Sequence, residues 1–569
     1  MGYSNKIVVN DRHITIVGDV LGDLVGMYPI HSNRKRTEFT FSVHRLPEIL
    51  KRFRGVTMDN IAEAPVKIQD QYLQEIVSRE NIKDLMANGP RESCVVTSTL
   101  TLDPHQQVGR EIAKFRDRYA FFYDTRTGKT PLSLSIIHDD IAANPTHKWL
   151  VICPLILIEN AWLEDSRRFV PRLKFQNCWA KTKQGRIDNI NTPAQVYVTN
   201  TESFVNYMEH FEQQRFHGVI VDESSDMKSP KSNVSKAIVE FAHTVKRFYL
   251  LSGTPAPNGE WEYFMQMRAI DYYSMPPSYT QFKQYFFTNI SFNPQYEKLC
   301  IRPDRKDELL SIVKEHAIYV DKEDVLDTPG RTFIEVEMTI PEELRKHYNL
   351  LKNELYLELQ DGLQITAPST AAKLNKLNQV TSGFVIDTQA KKENEFYGDN
   401  KQEWYLLDPY RFDELDRLLK QFGEEQVIIW ANYRIEFNLI QERLKDKCRV
   451  IHGGVGIGDK NTAIQQFKSG AIRYLVANPA SADKGLTLTN CHINVYFSLN
   501  WSYELFKQSM ERIYGDKKRQ PKHCYYYIMI TKGTIDRILY SDVLQGKGRA
   551  SYAVLNHLKA DVLKDSESY

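Results

Sequence analysis

Paired cysteines are missing from this chain. Its seven cysteines lie scattered between Cys94 and Cys524, with no C-x-x-C pair. That argues against a zinc site and against a disulfide framework, and it fits a reducing compartment. Long apolar runs are missing too. The longest, Trp149–Ile158, is too short to span a bilayer and reads as a buried strand. The N-terminus carries no signal-peptide pattern, and Lys6 spoils the myristoylation pattern that Met1-Gly2 would open. A soluble, cytoplasmic protein without a membrane partner is therefore expected. An excess of one charge is absent as well. The net charge is +2, so any nucleic-acid surface must be local, made by clustered Lys and Arg. There is no short internal repeat and no low-complexity tract. What remains is an ordinary globular composition, 42% hydrophobic and 26% charged, in 569 residues. That length suits roughly three to five structural units.

The chain is organised around Tyr123–Thr130, YDTRTGKT. The apolar run Tyr119–Phe122 precedes it, and Pro131–Ile137 follows as the first turns of a helix. Strand, glycine-bearing loop, Lys-Thr and helix is the layout of a phosphate-binding loop. In such a loop backbone N–H groups cradle phosphate, the Lys reaches the β/γ-phosphates, and the Thr hydroxyl holds Mg2+. Gly128 then allows close approach of the phosphate, Lys129 binds it and Thr130 is the metal-side ligand. Thr127 is counted with the nucleotide-binding residues. The match is incomplete: Tyr123 stands where the pattern G-x-x-x-x-G-K-[ST] has its first glycine.

Residues 1–97 hold no nucleotide motif. Lys6–Val9, His13–Val17 and Glu38–Val43 read as strands, and Leu46–Phe53 as a short helix. Arg34–Arg36 with Arg45, Lys51, Arg52 and Arg54 form a basic cluster, either a solvated face or a nucleic-acid contact. From Leu102, LDPHQQVGREIAKF starts at Asp103-Pro104 and reads as an amphipathic helix. Beyond the phosphate loop, WLVICPLILIENAW is continuously apolar, as a parallel strand buried on both faces would be. QVYVTN (195–200), GVIVDESSDMKS (218–229) and RFYLLSGTPAPN (247–258) are further strands. Residues 259–330 are rich in aromatics, which suit either a helical core or a stacking platform. Residues 341–384 read as two helices, PEELRKHYNLLKNELYLELQ and AAKLNKLNQVTSG, with a polar linker at Gln389–Gln402. A second series then runs through VIIWAN, CRVIHG, RYLVAN, INVYFSL and CYYYIMI. Buried strands alternating with helices predict doubly wound parallel sheets with their chemistry at the strand carboxyl ends.

Two carboxylates give the phosphate loop its partner. Asp222-Glu223 ends a second buried strand about ninety residues downstream, where the chemistry of such a sheet collects. Asp222 suits Mg2+, and Glu223 suits a carboxylate that orients or deprotonates water. Ser252–Pro255 ends the next strand, either as a relay of phosphate loss or as a plain turn. Arg512, in QSMERIYG, is either a helix-surface arginine or one offered to the transferring phosphoryl group.

The order of these motifs resembles the Swi/Snf-type branch of superfamily-two helicases, ATP-driven translocases on double-stranded DNA. LDPHQQVG resembles its glutamine motif, which assigns adenine to Gln106. DTRTGKT resembles Walker A, and VICPLILIENAWLEDSRRFVP the following motif, with Trp162 and Glu164. VIVDESSDMKSP resembles the DEAH-like box, with Ser224-Ser225 in place of Ala-His. LLSGTPAPN resembles TGTP-x-x-N, including Asn258. ADKGLTLTN resembles the fifth motif, with Gly485 matching, and FSLNWSYELFKQSMERIYGDKKRQ the sixth, with Gln508 and Arg512 in register. GTIDRIL matches the segment beyond the sixth motif. Residues 38–55 are distantly similar to the HARP modules of annealing helicases, and the loosened motifs look phage-like.

The resemblance implies an α/β protein: two RecA-like doubly wound parallel-sheet lobes with helical insertions and a small α+β N-terminal domain. The expected divisions are 1–97 for that domain, 98–258 for the first lobe, 259–400 for insertions and linker, 401–550 for the second lobe, and 551–569 for a tail. It implies ATP and Mg2+ as cofactors, double-stranded or branched DNA as partner, and a monomer that ratchets along DNA as the lobes close and open. In the sixth motif Gly515 replaces the family's second arginine, and Gln520 comes two residues late. Lys517, Lys518 and Arg519 are candidate replacements, with Arg519 favoured because a guanidinium binds two phosphate oxygens at once. Solvent or DNA phosphate is the alternative for this trio. An ATP-gated clamp with negligible turnover and a strand-separating DNA or RNA helicase are the competing functions.

Overall fold

The computed structural model describes residues 6–9, 13–17, 31–32, 38–42, 49, 65–91, 93–290, 299–354, 356–358, 364–366, 370–386, 404–481 and 487–541. The basic cluster, the helix expected at Leu46–Phe53 (Ile49 apart), Gly485, the linker and the tail lie outside these residues. The chain divides into two compact units, the first running to Val325 and the second from Leu326.

The first unit opens with a four-stranded antiparallel sheet. Its strands are β1 (Lys6–Val9), β2 (His13–Val17), β3 (His31–Ser32) and β4 (Glu38–Ser42), in the order β1-β2-β4-β3. Ile14, Ile16, Phe39 and Phe41 are buried. The sheet is fastened to the lobe behind it: Ser42 Oγ donates to Asp271, and the His13 ring lies 4.8 Å from that of Tyr273.

The lobe itself is built on β5 (Arg118–Tyr123), β6 (Trp149–Cys153), β7 (Phe175–Asn177), β8 (Val196–Asn200), β9 (Gly218–Asp222) and β10 (Arg247–Leu251). A hairpin of β11 (Phe287–Asn289) and β12 (Leu299–Ile301) stands apart, and β13 (Ala317–Val320) joins the sheet edge. The order is β13-β5-β10-β9-β6-β8-β7, and every pairing is parallel. All residues of β6, β8 and β9 are buried, which is why their sequences are apolar throughout. β6 stops at Cys153, earlier than its apolar run suggests. Pro154 offers no N–H to a ladder, and the chain turns into helical winding from Leu155. The aromatic stretch is core: Tyr263, Phe264, Phe282 and Phe286 are buried together. It also supplies β13, so the sheet extends past the boundary expected at residue 258.

At the amino ends of the strands one carboxylate gathers several elements. Asp140 accepts from Trp149 Nε1 at 2.8 Å and Arg247 Nη1 at 3.2 Å, with His147 Nδ1 at 3.0 Å and His217 Nε2 at 3.5 Å. The two imidazoles stack at 3.5 Å, and burial, only partly opposed by Asp140, pulls His217 below its usual pKa. The ligand atoms of Asp140, His147 and His217 lie within 4.8 Å of one another, but the Arg247 guanidinium already balances Asp140, and the group ties the helix Lys129–Ala143 to the sheet.

The second unit holds β14 (Arg331–Met338), then two hairpins, β15 (Tyr356–Glu358) with β16 (Gln364–Thr366) and β17 (Phe384–Ile386) with β18 (Trp404–Leu406). Its parallel sheet adds β19 (Val427–Trp430), β20 (Cys448–Ile451), β21 (Tyr474–Ala477), β22 (Ile493–Tyr496) and β23 (Cys524–Thr531), in the order β14-β23-β22-β19-β21-β20. The helix expected over 341–360 ends at Glu354. The alternating Tyr-Leu-Glu beyond it pairs as a strand instead. GTIDRIL is tied in by a buried charge pair: Arg411 Nη1 meets Asp536 Oδ2 at 2.7 Å while its other nitrogens bond Phe497 O and Met529 O. Among the described residues no helix is long and apolar enough to cross a membrane.

Candidate nucleotide site

β5 ends at Tyr123, and the helix Lys129–Ala143 begins six residues later. Gly128 makes the turn between them at φ 83°, ψ 44°. The left-handed turn demands glycine, and a Cβ there, 1.9 Å from Gln106 Nε2, would push that amide off Thr127 O. Arg126 also takes a left-handed φ, 67°, a conformation that side chains tolerate at a cost of about 1–2 kcal/mol. The Thr127 hydroxyl donates to Asp124 O at 2.7 Å. Lys129 Nζ arches back to Tyr123 O at 3.1 Å and Asp124 O at 3.4 Å. Thr130 follows in the first helical turn, where backbone N–H groups have no partner within the helix and suit an anion.

The departure at Tyr123 has a structural reason. Tyr123 is the last residue of the strand, buried, and its hydroxyl donates to His105 O at 2.7 Å. A Cβ at Gly109 would come within 2.7 Å of that hydroxyl, so the glycine of LDPHQQVG makes room for the tyrosine. Burial pushes the phenol's pKa far up, so it remains a donor. Gln106 sits in the same contact zone. Its Oε1 accepts from Asp103 N at 2.9 Å and its Nε2 donates to Thr127 O at 3.0 Å. The glutamine thus caps its own helix and grips the phosphate loop.

The carboxylates lie on the same edge of the sheet. Leu251 on β10 stands opposite both Phe121 on β5 and Asp222 on β9, so the phosphate-loop strand and the carboxylate strand are separated by a single strand. Asp222 is 5% exposed. Its Oδ1 accepts from Glu223 N and its Oδ2 from Trp162 Nε1, each at 3.0 Å. Burial, reinforced by the Asp222 charge, drives the neighbouring Cys153 thiol well above its usual pKa. Glu223 turns out of the strand at φ 55°, ψ 57°, again left-handed, as strained residues at functional edges are. The oxygen-only donor set of the Thr130 hydroxyl and the Asp222 carboxylate is of the kind that suits Mg2+.

The next motif is bonded to this one. Ser224 Oγ donates to Gln266 Oε1 at 2.8 Å, and Gln266 Nε2 donates to Pro255 O at 2.6 Å. Asn258 is held through both backbone and side chain by Glu262. A Cβ at Gly253 would lie 3.3 Å from Thr125 N, so the turn after β10 rests against the phosphate loop. One residue at this edge escaped the sequence motifs. Lys322, just beyond β13, is 1% exposed and its Nζ reaches Thr125 Oγ1 at 3.3 Å. Only its place in DKEDV, a lysine among acids after an apolar run, could have drawn notice.

In the second unit Arg512 is 7% exposed, at the end of the helix Tyr503–Met510. Gln520 is buried, and its amide donates to Cys491 O, Ile513 O and Thr489 O. Between them, Lys517 pairs with Asp327 at 2.7 Å. The Arg519 side chain is 66% exposed, 3.9 Å from Asp516.

Residues 66–386 match the SNF2-related domain, and residues 410–515 the helicase conserved C-terminal domain. The chain is 25% identical over 430 residues to putative protein p41 of Acyrthosiphon pisum secondary endosymbiont phage 1, covering 72% of this chain and 89% of that one. It is 23% identical over 492 residues to the Mus musculus DNA annealing helicase and endonuclease ZRANB3, covering 83% of this chain and 43% of that protein, so it spans less than half of that relative. Among solved structures, the Sulfolobus solfataricus SWI2/SNF2 ATPase core in complex with dsDNA aligns at 18% identity and a TM-score of 0.38, covering 81% of this chain and 97% of that one.

Proposed function

The chain belongs to the SNF2-related family of superfamily-two helicases, and from that premise we propose that it is an ATP-driven translocase on double-stranded DNA. The observation that carries this reading is the meeting, on one sheet edge, of a phosphate loop with Lys129 and Thr130 and a strand end with Asp222 and Glu223. Lys129 Nζ exchanges its two carbonyl bonds for phosphate oxygens. Thr130 and Asp222 hold Mg2+, which when bound neutralises charge on the β- and γ-phosphates. Glu223 orients the attacking water and takes its proton. Gln106 and Thr127 shape the loop, with Gln106 reading adenine. Gly485 and Arg512 act on the nucleotide by their match to the family's motifs, and Arg519 stands in for the missing second arginine.

The DNA is gripped through backbone phosphates, so affinity depends on salt more than on sequence. The annealing activity in ZRANB3's name supports annealing, branch migration or remodelling as the output, with protein displacement as a further one. The similarity to a phage protein supports a phage origin, with the host cytoplasm as the place of action. The chain works as a monomer. Turnover measured with duplex, single-stranded and forked DNA and with RNA tests the reading. Duplex is expected to stimulate most, and equal stimulation by RNA would overturn it. Gly515, in place of the second arginine, favours an ATP-gated clamp as the second reading. Bound nucleotide without turnover on any nucleic acid would select the clamp.

A further inference from the structure

The phosphate loop is held at its base from a direction its motifs do not include. β13 runs beside β5 with Val320 opposite Tyr123. Val320 O accepts from Asp124 N at 2.9 Å, one bond beyond the paired strands. Two residues later the short helix Lys322–Val325 begins, and with Val325 this part of the first unit ends. Lys322 opens that helix with its side chain buried and its Nζ donating to Thr125 Oγ1. A buried ammonium is expensive to desolvate unless it is bonded, so this contact is a built feature. Thr125 is confined from its other side as well: a Cβ at Gly253 would lie 3.3 Å from its nitrogen and 3.4 Å from its Cγ2. One residue of the phosphate loop therefore stands between the turn after β10 and the segment by which the chain leaves the unit.

We propose that Lys322 is a positioning residue that passes the state of the phosphate loop into the connecting segment Asp321–Gly330. The inference rests on the ATP-binding part of the function proposed above. Lys129 Nζ bonds the carbonyls of Tyr123 and Asp124. When phosphate oxygens take those bonds over, the Asp124 carbonyl loses its cation, and the Asp124–Thr125 peptide readjusts about the Thr127 hydroxyl bond that it keeps. Thr125 Oγ1 then shifts against an ammonium that is buried and cannot follow into solvent. The cheapest response is movement of the backbone that carries Lys322, which is the start of the connection to the second unit. A two-state element biased by ligand is what such coupling requires.

Hydrogen exchange of residues 318–330 in the full chain, with and without a non-hydrolysable ATP analogue, tests this. In the unsubstituted protein the analogue is expected to change exchange there by about threefold or more. Lys322→Met should bind the analogue within about threefold of the parent affinity and lose that response. Thr125→Val removes the hydroxyl that accepts from Lys322 and should lose the response as well, its analogue affinity being measured beside it, and the double variant should lose no more of the response, because the two groups act as one unit. Lys322→Arg should restore part of the response. A segment indifferent to nucleotide in the parent, or an undiminished response in Thr125→Val, overturns the proposal. So does a weakening of analogue binding by about tenfold in Lys322→Met, which would make Lys322 a direct phosphate ligand. Should Lys322→Met fail to fold, Thr125→Val decides alone. DNA-stimulated turnover is read on the same samples. Its absence beside an intact exchange response removes the translocase reading and leaves this coupling standing, and the converse result removes the coupling alone.

Discussion

The indole of Trp162 donates to Asp222 Oδ2 at 3.0 Å, with both residues buried. This bond ties the motif after the phosphate loop to the carboxylate that faces it. Trp162 lies in the π-helical winding Ile158–Leu163, a widened turn of the sort that re-aims side chains at functional sites. Asp222 therefore has its orientation set from β6's side of the sheet as well as by the Glu223 N–H.

Trp162→Phe keeps the bulk and removes the donor. Groups that orient a metal-binding carboxylate contribute about 10–100-fold in metal affinity or activity. The Mg2+ concentration for half-maximal turnover should rise by that order, with a smaller change in the KM for ATP. A Mg2+ titration of ATPase activity checks this, and an unchanged midpoint would mean that the backbone alone positions Asp222.

Lys129→Ala should abolish hydrolysis, because the cation that faces the β/γ-phosphates in this motif is gone. Unchanged ATPase activity would show that YDTRTGKT is not the site. Glu223→Gln should still bind ATP yet lose turnover by about 10²–10⁴-fold, since an amide cannot accept the proton. Equilibrium binding of a labelled ATP analogue beside steady-state turnover separates the two variants.

The sheets were legible because parallel strands buried on both faces must be apolar throughout, as WLVIC and GVIVD are. The placing of Lys129–Thr130 and Asp222–Glu223 at one edge of one sheet was legible because each pair follows an apolar run. The limits of β6 and of the helix after Pro341 were less so. An apolar run does not say where proline will end pairing, and a Tyr-Leu-Glu segment reads equally as helix or strand until a partner strand is known. β13 was hidden for the same reason: AIYV is too short to declare itself without β5 beside it. Lys322 had only its place in DKEDV to mark it, because its meaning comes from Thr125, a residue 197 positions away.

Ser224 replaces the family's alanine, and its hydroxyl joins the carboxylate strand to the turn after β10 through Gln266. Ser224→Ala leaves a buried amide oxygen short of one donor. That loss is worth about 1–3 kcal/mol. Thermal unfolding of the first unit should shift down accordingly, and a melting profile identical to the parent's would show that the bridge contributes nothing to stability.

His316 supplies a pH dependence. Its Nδ1 donates to Ile312 O at 2.7 Å, so its Nε2, 3.4 Å from Asp271 Oδ2, carries the second proton when the ring is charged. Burial acts to lower its pKa, but the bond to Asp271 and the charges of Glu315 and Asp271 prevail and raise it. A raised folded value means stability that is fully present below the unfolded value and lost as pH rises through the folded one. The first unit should therefore melt higher at about pH 6 than at about pH 8.5. His316→Gln should flatten that part of the profile. A slope preserved in His316→Gln would assign it to other groups.

The sixth motif gives the sharpest test, because there the chain departs from its family. Arg512 is in register and 7% exposed. Gln520 arrives two residues late, yet it is anchored: its amide is spent on the carbonyls of Thr489, Cys491 and Ile513. The two added residues therefore enlarge the loop from Gly515 to Arg519 without disturbing β23. Lys517 is occupied by Asp327. Arg519 has its backbone N–H bonded to Asp516, and its guanidinium is largely exposed, 3.9 Å from the Asp516 carboxylate. An exposed pair of that length holds a side chain only weakly, so a phosphate group can compete for Arg519 at little cost. If Arg519 serves as the missing arginine, Arg519→Ala should lower kcat at saturating DNA by about 10³-fold or more, the scale of an arginine finger. A kcat that stays put while DNA affinity and its salt dependence fall would return Arg519 to DNA phosphate. Arg512→Ala is expected to lower kcat by the same order. Full turnover in Arg512→Ala would overturn the transferred motif itself, and the ATP-gated clamp would then be the better description of the chain.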